Sequence, residues 1–427
     1  MNYRETLQYM YDALPMFHRQ GKTAYKKDLT NIRALCEALD NPQQKLKCIH
    51  IAGTNGKGSV SHMMAAILQA HGYKTGLYVS PHYKDFRERI KINGRYISRN
   101  YITRFVEKNR DLFNKVAPSF FEMTVAMAFS YFKKQKVDFA VIETGLGGRL
   151  DSTNIIQPLL SIITNISWDH SDLLGDSLEK IAQEKAGIIK TNTPVVIGRK
   201  QIESEPVFNS FAKAMHAPIY YAQDHTKIQS KEGPKGLDRI SFELGGNEMV
   251  VKPSLNGIYQ LENINTVLSA CQVLNAFKIV QLESSKIAIG IEKTSELTCM
   301  VGRWQQIASD PDVFVDSAHN EDGIKYLVRQ IEGIHFNKLH FICGFVKDKP
   351  IDKVLVQLPK DASYYFVKAS IPRALDEQEL QQQAKAYGLS GSCYSKPKQA
   401  LRAARKHAGK EDLIVVSGSI FVVGEFL

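Results

Sequence analysis

Short apolar runs alternate with amphipathic helical stretches along most of this 427-residue chain, and no other feature narrows the possible folds as far. The run Cys48 to Ala52 precedes a glycine-rich turn and then SVSHMMAAILQAHG, whose apolar residues fall three and four apart. The same order recurs at KTGLYVS, at SFFEMTVAMAFSYFKK with VDFAVIETGLGG, and at LLSIITNISWDH with SLEKIAQEKAGIIK and PVVIG. Strands that read as unbroken apolar runs between helices are covered on both faces, which predicts an α/β fold with a mostly parallel sheet. Residues from about 201 to 256, including SKEGPKGLDRISFELGG, are turn-rich and read as a small antiparallel β extension of that first domain. After the helix ENINTVLSACQVL the alternation resumes through DVFVDSAHN, GIKYLVRQIEG, KLHFICGFV, SYYFVKAS and DLIVVSGSIFVV, predicting a second, smaller Rossmann-like α/β domain. The expected division is 1–297 and 298–427, with TSELTCMVGRW as the connection.

Composition excludes several classes. At 44% hydrophobic and 23% charged residues, the chain is too apolar for disorder. A net charge of +11 favours anionic partners. Its Lys and Arg residues are spread along the chain instead of forming basic stripes with interleaved aromatics, so nucleic acid is not an expected partner. Six cysteines without a C-x-x-C pair predict neither disulfides nor a structural zinc. The beginning, MNYRETLQYMYDALP, lacks the apolar core of a secretory signal, and no run approaches the ~20 apolar residues of a spanning helix. A soluble cytoplasmic protein without a membrane partner is the expectation.

The segment HIAGTNGKGS places Gly53, Thr54, Asn55, Gly56, Lys57, Gly58 and Ser59 between a predicted strand and a predicted helix. Glycines let the backbone wrap a phosphate chain, the helix start offers N–H groups, and Lys57 supplies positive charge. The match to G-x-x-x-x-G-K-[ST] is imperfect, since Ile51 replaces the first Gly and Gly58 separates Lys57 from Ser59. A nucleotide site follows, although the loop does not specify its chemistry. Glu143 ends the run VDFAVIE just before another Gly-rich turn, where α/β nucleotide enzymes hold Mg²⁺. His170, in NISWDHSDLLG, follows a further apolar run. A lone His is more often a structural hydrogen-bonding residue, and Mg²⁺ prefers oxygen. Lys185 in AQEKAGIIK reads, on composition alone, as an exposed helix lysine paired with a glutamate.

Taken in order, GTNGKGS, SPHYKDFRERIKINGRYIS, IETGLGGRLDSTN, WDHSDLLG, EKAGIIK, GIYQLENINT, GRW, VDSAHN and SGSIFVVGE resemble the folylpolyglutamate synthase and dihydrofolate synthase family. That family is a branch of the Mur-type ATP-dependent amide ligases, and the resemblance spans nearly the whole chain. It implies an N-terminal P-loop ATPase domain, a C-terminal ligase domain, and ATP with two Mg²⁺ ions. Ser80 and Glu143 would bind one metal. His170 and Lys185 would bind the second, the lysine after carbamylation by CO₂ had turned a cation into a carboxylate.

The resemblance further implies that Asn263 contacts adenine, Asp316 the ribose, and Arg303 and His319 the phosphates from the second domain. Ser317 and Glu321 stand where DGAHNP is usual, which predicts altered loop geometry. On the folate side it implies Phe121 stacked on the pterin, Asp151 and Ser152 at its edge, and Ser417 in the substrate set; one of Phe120 and Phe121 is expected to be plain core. Residues 80–98 would form a mobile loop whose Arg87, Arg89, Lys91 and Arg95 suit an anionic substrate.

The implied reaction makes an acyl phosphate on dihydropteroate or on a folate's terminal glutamate, which the amine of L-glutamate attacks, in a monomer whose domains close to exclude water. Two alternatives compete. A cell-wall precursor ligase of the Mur group would lack the SPHYKDFRERIKING segment, and a nucleic-acid-binding P-loop NTPase would need basic stripes.

Overall fold

The apolar runs pair into sheets within two units of the computed structural model, which describes residues 1–13, 28–244, 246–347 and 350–427. The first unit contains residues 1–230, 240–254 and 260–300, and the second contains 231–239, 255–259 and 301–427. The main division therefore falls after residue 300 instead of 297, and two short pieces of the turn-rich stretch group with the second unit.

In the first unit, one sheet is built from β1 (Cys48–Ala52), β2 (Thr75–Tyr78), β3 (Ile90–Ile92), β4 (Arg95–Tyr96), β5 (Phe139–Glu143), β6 (Leu160–Ile163), β7 (Val195–Ile197) and β8 (Ile219–Tyr221). Its order is β4-β3-β2-β5-β1-β6-β7-β8. The six strands from β2 to β8 in that order run parallel, with β3 and β4 as an antiparallel edge. Every residue of β1, β2, β5, β6 and β7 is buried, as a parallel sheet covered on both faces requires. The three central strands β5, β1 and β6 end together, and ligands of open α/β sheets bind beyond those carboxyl ends.

The segment 80–98 differs from the expected loop. It forms a 3₁₀ turn, Phe86–Arg89, closed by an Asp85/Glu88 capping box, and then the β3–β4 hairpin built into the sheet edge. Arg89 and Lys91 are buried within it. The Lys91 ammonium donates to the Thr298 and Cys299 carbonyls at 2.8 and 3.1 Å, ending a short helix, Thr294–Thr298.

The helix Phe120–Gln135 starts at a second capping box, in which the Ser119 hydroxyl accepts from Glu122 N and the Glu122 carboxylate accepts from Ser119 N. That box explains two letters of SFFE as local structure. The turn-rich stretch does contain a three-stranded sheet, β9 (Ile228–Gly233), β10 (Gly236–Leu244) and β11 (Asn247–Val251), with β10 and β11 antiparallel. Gly245 of SFELGG lies outside the described residues. An amphipathic helix, Glu205–Ala214, precedes it and buries Phe208 and Ala212.

The second unit has the sheet β12-β13-β17-β14-β15-β16, formed by β12 (Gln305–Ala308), β13 (Asp312–Val315), β14 (Leu339–Cys343), β15 (Ser363–Val367), β16 (Gly391–Tyr394) and β17 (Leu413–Ser417). All its pairings are parallel except β12 with β13. Its core includes Trp304 stacked on Phe314 at 4.5 Å between ring centroids. No described helix of either unit is long and apolar enough to cross a membrane.

Candidate active site

The loop 53–56 connects β1 to the helix Lys57–Ala70, and two of its glycines are required by geometry. Gly53 has φ +144° and Gly56 φ +86°; a Cβ on Gly53 would lie 1.8 Å from Thr164 Oγ1, and one on Gly56 2.2 Å from Asn263 Oδ1. Residues just past β6 hold the loop from beneath. Thr164 donates to the Asn55 carbonyl at 2.5 Å, and Asn165 accepts from Thr54 N through its carbonyl and from Asn55 N through its side chain. Thr54 and Ser167 bind each other twice. Val60 N donates to the Gly56 carbonyl where the helix begins, and a helix start of this kind is where an anion site forms. Ser59 is buried, its hydroxyl accepting from Gln260 Nε2 at 3.2 Å. Asn263 donates to Gln260 Oε1 at 2.9 Å and lies against Gly56, beside the phosphate loop.

Lys57 and Lys185 share one acceptor. Their ammonium groups reach the Gly53 carbonyl at 3.0 and 2.9 Å, and Lys57 also reaches the Thr54 carbonyl at 3.1 Å. The expected exposed lysine is thus a buried one, 3% accessible on the helix Leu178–Ala186. Burial, and then the like charge of Lys57, push its pKa down to about 7, so a neutral amine is available near neutral pH.

Glu143 ends β5 beside β1, is buried, and accepts from Ser80 N at 3.1 Å. The adjoining Thr144 hydroxyl is buried without a hydrogen-bond partner. His170 sits at φ +52° before a one-turn helix, with its Nε2 3.7 Å from Asp169 Oδ1. Among the described residues no three His, Cys, Asp or Glu side chains converge as a metal cage. One buried carboxylate with a neighbouring serine suits Mg²⁺, which keeps several waters and takes one or two carboxylates together with substrate phosphates.

Of the two phenylalanines expected near the substrate, Phe120 is the core residue and Phe121 the half-buried one. Phe120 packs edge-on to Phe86 at 5.8 Å, under the Arg89 guanidinium. Phe121 lies against Gly145, where a Cβ would sit 2.4 Å from its ring. Asp151 is buried and accepts four hydrogen bonds: Gly145 N and Leu146 N on Oδ2, Thr153 N and Thr153 Oγ1 on Oδ1. Desolvation outweighs these bonds and raises its pKa. A ligand donor reaches this carboxylate only by sharing or displacing one of them. Ser152, also buried, opens the short 3₁₀ turn that follows.

The second unit gathers its expected residues at the carboxyl ends of β13 and β17 and on the GRW turn. Asp316 is buried and accepts from Tyr259 OH at 2.6 Å, Trp304 N at 2.7 Å and Ala318 N at 2.9 Å, with its pKa raised by burial against the lowering charge of Arg303. His319 Nδ1 lies 2.9 Å from the Ser317 carbonyl, and the Ser417 hydroxyl donates to the Ala318 carbonyl at 3.1 Å. The unusual Ser317 donates to the Gly302 carbonyl at 3.0 Å, tying DSAHN to GRW. Glu321 takes the first helical position after the Asn320 cap, where a carboxylate suits the helix dipole as Pro would suit its backbone.

Residues 51–271 match the Mur ligase middle domain, and 302–420 match the Mur ligase glutamate ligase domain. The chain is 32% identical over 425 residues to the dihydrofolate synthase/folylpolyglutamate synthase of Bacillus subtilis, covering 97% of each. It belongs to the folylpolyglutamate synthase/dihydrofolate synthase family of Mur ligases. E. coli FolC in complex with DHPP and ADP superposes with a TM-score of 0.87 at 25% identity, over 100% of this chain and 96% of that one. A bifunctional folylpolyglutamate synthase/dihydrofolate synthase with Mn, AMPPNP and L-glutamate bound gives 0.84 at 26% identity, over 100% and 97%.

In this family member Thr164, Asn165 and Gln260, the polar residues that brace the phosphate loop, do not stand out in the sequence. TNIS directly after an apolar run was the available signal, since polar groups at a strand's carboxyl end must bond something nearby.

Proposed function

We propose that the protein ligates L-glutamate to folates using ATP, both extending the γ-linked glutamate chain and adding the first glutamate to dihydropteroate. The observation that carries this reading is that the carboxyl ends of the central strands present the phosphate loop, the buried Glu143, and the Gly145 turn that Asp151 holds and Phe121 packs against. The γ-phosphoryl group of ATP passes to the acceptor carboxylate; the glutamate amine then forms the C–N bond as the C–O bond to phosphate breaks, releasing ADP and phosphate. Gly53 to Ser59 cradle the phosphates, and Lys57 places its charge against them. Glu143 and Ser80 would hold one Mg²⁺, and His170 with a carbamylated Lys185 a second. When bound, the metal neutralises charge developing on the phosphoryl oxygens. Arg303 and His319 supply further phosphate contacts, Asp316 and Asn263 the nucleoside contacts, and Ser417 and Ser152 the substrate contacts. The test is transfer of labelled L-glutamate to 7,8-dihydropteroate and to a tetrahydrofolate monoglutamate, and the bifunctional reading requires both products. The relatives' bifunctional names support it over a cell-wall ligase.

Carbamylation is supported by the geometry of the two lysines. Two ammonium groups on one carbonyl repel, whereas a carbamate at Lys185 would face Lys57 as an opposite charge. Lys185→Ala is expected to lower turnover about a hundredfold, with part restored by added acetate or formate. Full activity of the variant, or no response to any small carboxylate, contradicts the carbamate.

A further inference from the structure

We infer that His50 and Thr153 form a buried hydrogen-bond relay that positions Asp151 for the pterin end of the folate, an inference that rests on the substrate-side reading of Asp151 proposed above. His50 stands mid-way along β1, between Ile142 of β5 and Ser161 of β6, and is fully buried. Such a site in a parallel sheet is ordinarily filled by Val, Ile or Leu. His50 Nε2 lies 2.8 Å from Thr153 Oγ1, and that hydroxyl lies 2.6 Å from Asp151 Oδ1.

The proton count fixes the direction of the relay. An ionised Asp151 only accepts, so the single hydroxyl proton of Thr153 goes to it, and the hydroxyl oxygen accepts from His50. His50 is thereby held as its Nε2–H tautomer, which leaves Nδ1 as the bare nitrogen. That Nδ1 is buried with no hydrogen-bond partner. A leucine at this position would avoid that cost, so the histidine is accounted for by what Nε2 holds. Burial, with a smaller contribution from Lys190, lowers its pKa to about 3, and the relay therefore transmits a hydrogen bond and no charge.

The other carboxylate oxygen fixes the rest of the substrate side. Asp151 Oδ2 holds the Gly145 and Leu146 amides, and Phe121 rests on Gly145. Acid, loop and ring thus form one unit with its far anchor in the strand that ends, three residues after His50, in the phosphate loop. His50 and Thr153 are positioning residues.

In the full-length protein, Thr153→Val is expected to raise KM for dihydropteroate and for the folate acceptor about tenfold, with kcat and nucleotide affinity within about twofold of the original. Nucleotide affinity is read from intrinsic tryptophan fluorescence, to which Trp168 contributes beside Ser167, a partner of Thr54 in the phosphate loop. Thr153→Ser is expected to restore KM, and His50→Leu to raise it in the same direction. Should Thr153→Val not fold, His50→Leu carries the test, since leucine suits a buried strand. Asp151→Asn separates the two levels: an unchanged folate KM would overturn the substrate-side role of Asp151 and the relay with it. A raised KM in Asp151→Asn, with folded Thr153→Val and His50→Leu both at the original KM, would overturn the relay alone. Equal loss of nucleotide and folate affinity would also overturn it, reducing the pair to packing between β1 and the turn after Asp151.

Discussion

Glu143→Gln is expected to reduce ADP formation about a thousandfold while the protein stays folded. Glutamine keeps the volume of the side chain and can still accept from Ser80 N at the end of β5, so the fold has little reason to change. What it loses is the charge. Glu143 is a buried carboxylate at the carboxyl end of β5 beside the phosphate loop, and a neutral amide there offers no negative charge to a bound Mg²⁺. Steady-state kinetics across a magnesium series, with circular dichroism as the check on folding, measures the effect. A variant that turned over within tenfold of the original at the same magnesium concentration would remove Glu143 from the metal site.

Lys57→Ala is expected to lower kcat/KM for ATP by about a thousandfold, equivalent to about 4 kcal/mol of lost transition-state stabilisation. The ammonium bonds the Gly53 and Thr54 carbonyls, and in the proposed reaction it also carries the charge that the phosphates would meet. The same substitution has a consequence for its neighbour. Lys57 contributes to the depressed pKa of Lys185, so its removal lets that pKa rise from about 7. In the uncarbamylated protein, the unfolded chain holds a proton on Lys185 between about pH 7 and the ordinary lysine value, whereas the folded one does not. Stability therefore rises with pH across that window, and the window narrows from its lower end in Lys57→Ala. Urea unfolding at several pH values, after CO₂ has been removed, reads this; an identical slope in both proteins would contradict the coupling.

How much was legible differs between elements. The parallel sheet and the phosphate loop were plain because both depend on local pattern: uninterrupted apolar runs, and glycines placed between strand and helix. Glu143 was legible for the same reason, as a charge ending an apolar run. Lys185 was not, because nothing local distinguishes a lysine reaching under Gly53 from one in solvent. The segment 80–98 reads as loop by its charges, yet Arg89 and Lys91 find internal partners and the chain pairs with β2. Thr164, Asn165, Gln260 and the His50–Thr153 pair act through bonds between residues up to about two hundred positions apart, as in Gln260 to Ser59, which periodicity cannot show. The helix Glu205–Ala214 was hidden in a stretch whose turn residues dominate its average, although Val207, Phe208 and Phe211 keep helical spacing.

The most direct test of the central claim is ADP formation by the purified protein with Mg²⁺ and ATP, when L-glutamate and either 7,8-dihydropteroate or a tetrahydrofolate monoglutamate are supplied separately and together. The expected result is ADP matched one for one by new glutamyl product, with each acceptor, only when acceptor, L-glutamate and Mg²⁺ are all present. ADP formed at the same rate without glutamate, or no turnover with either acceptor, would contradict it.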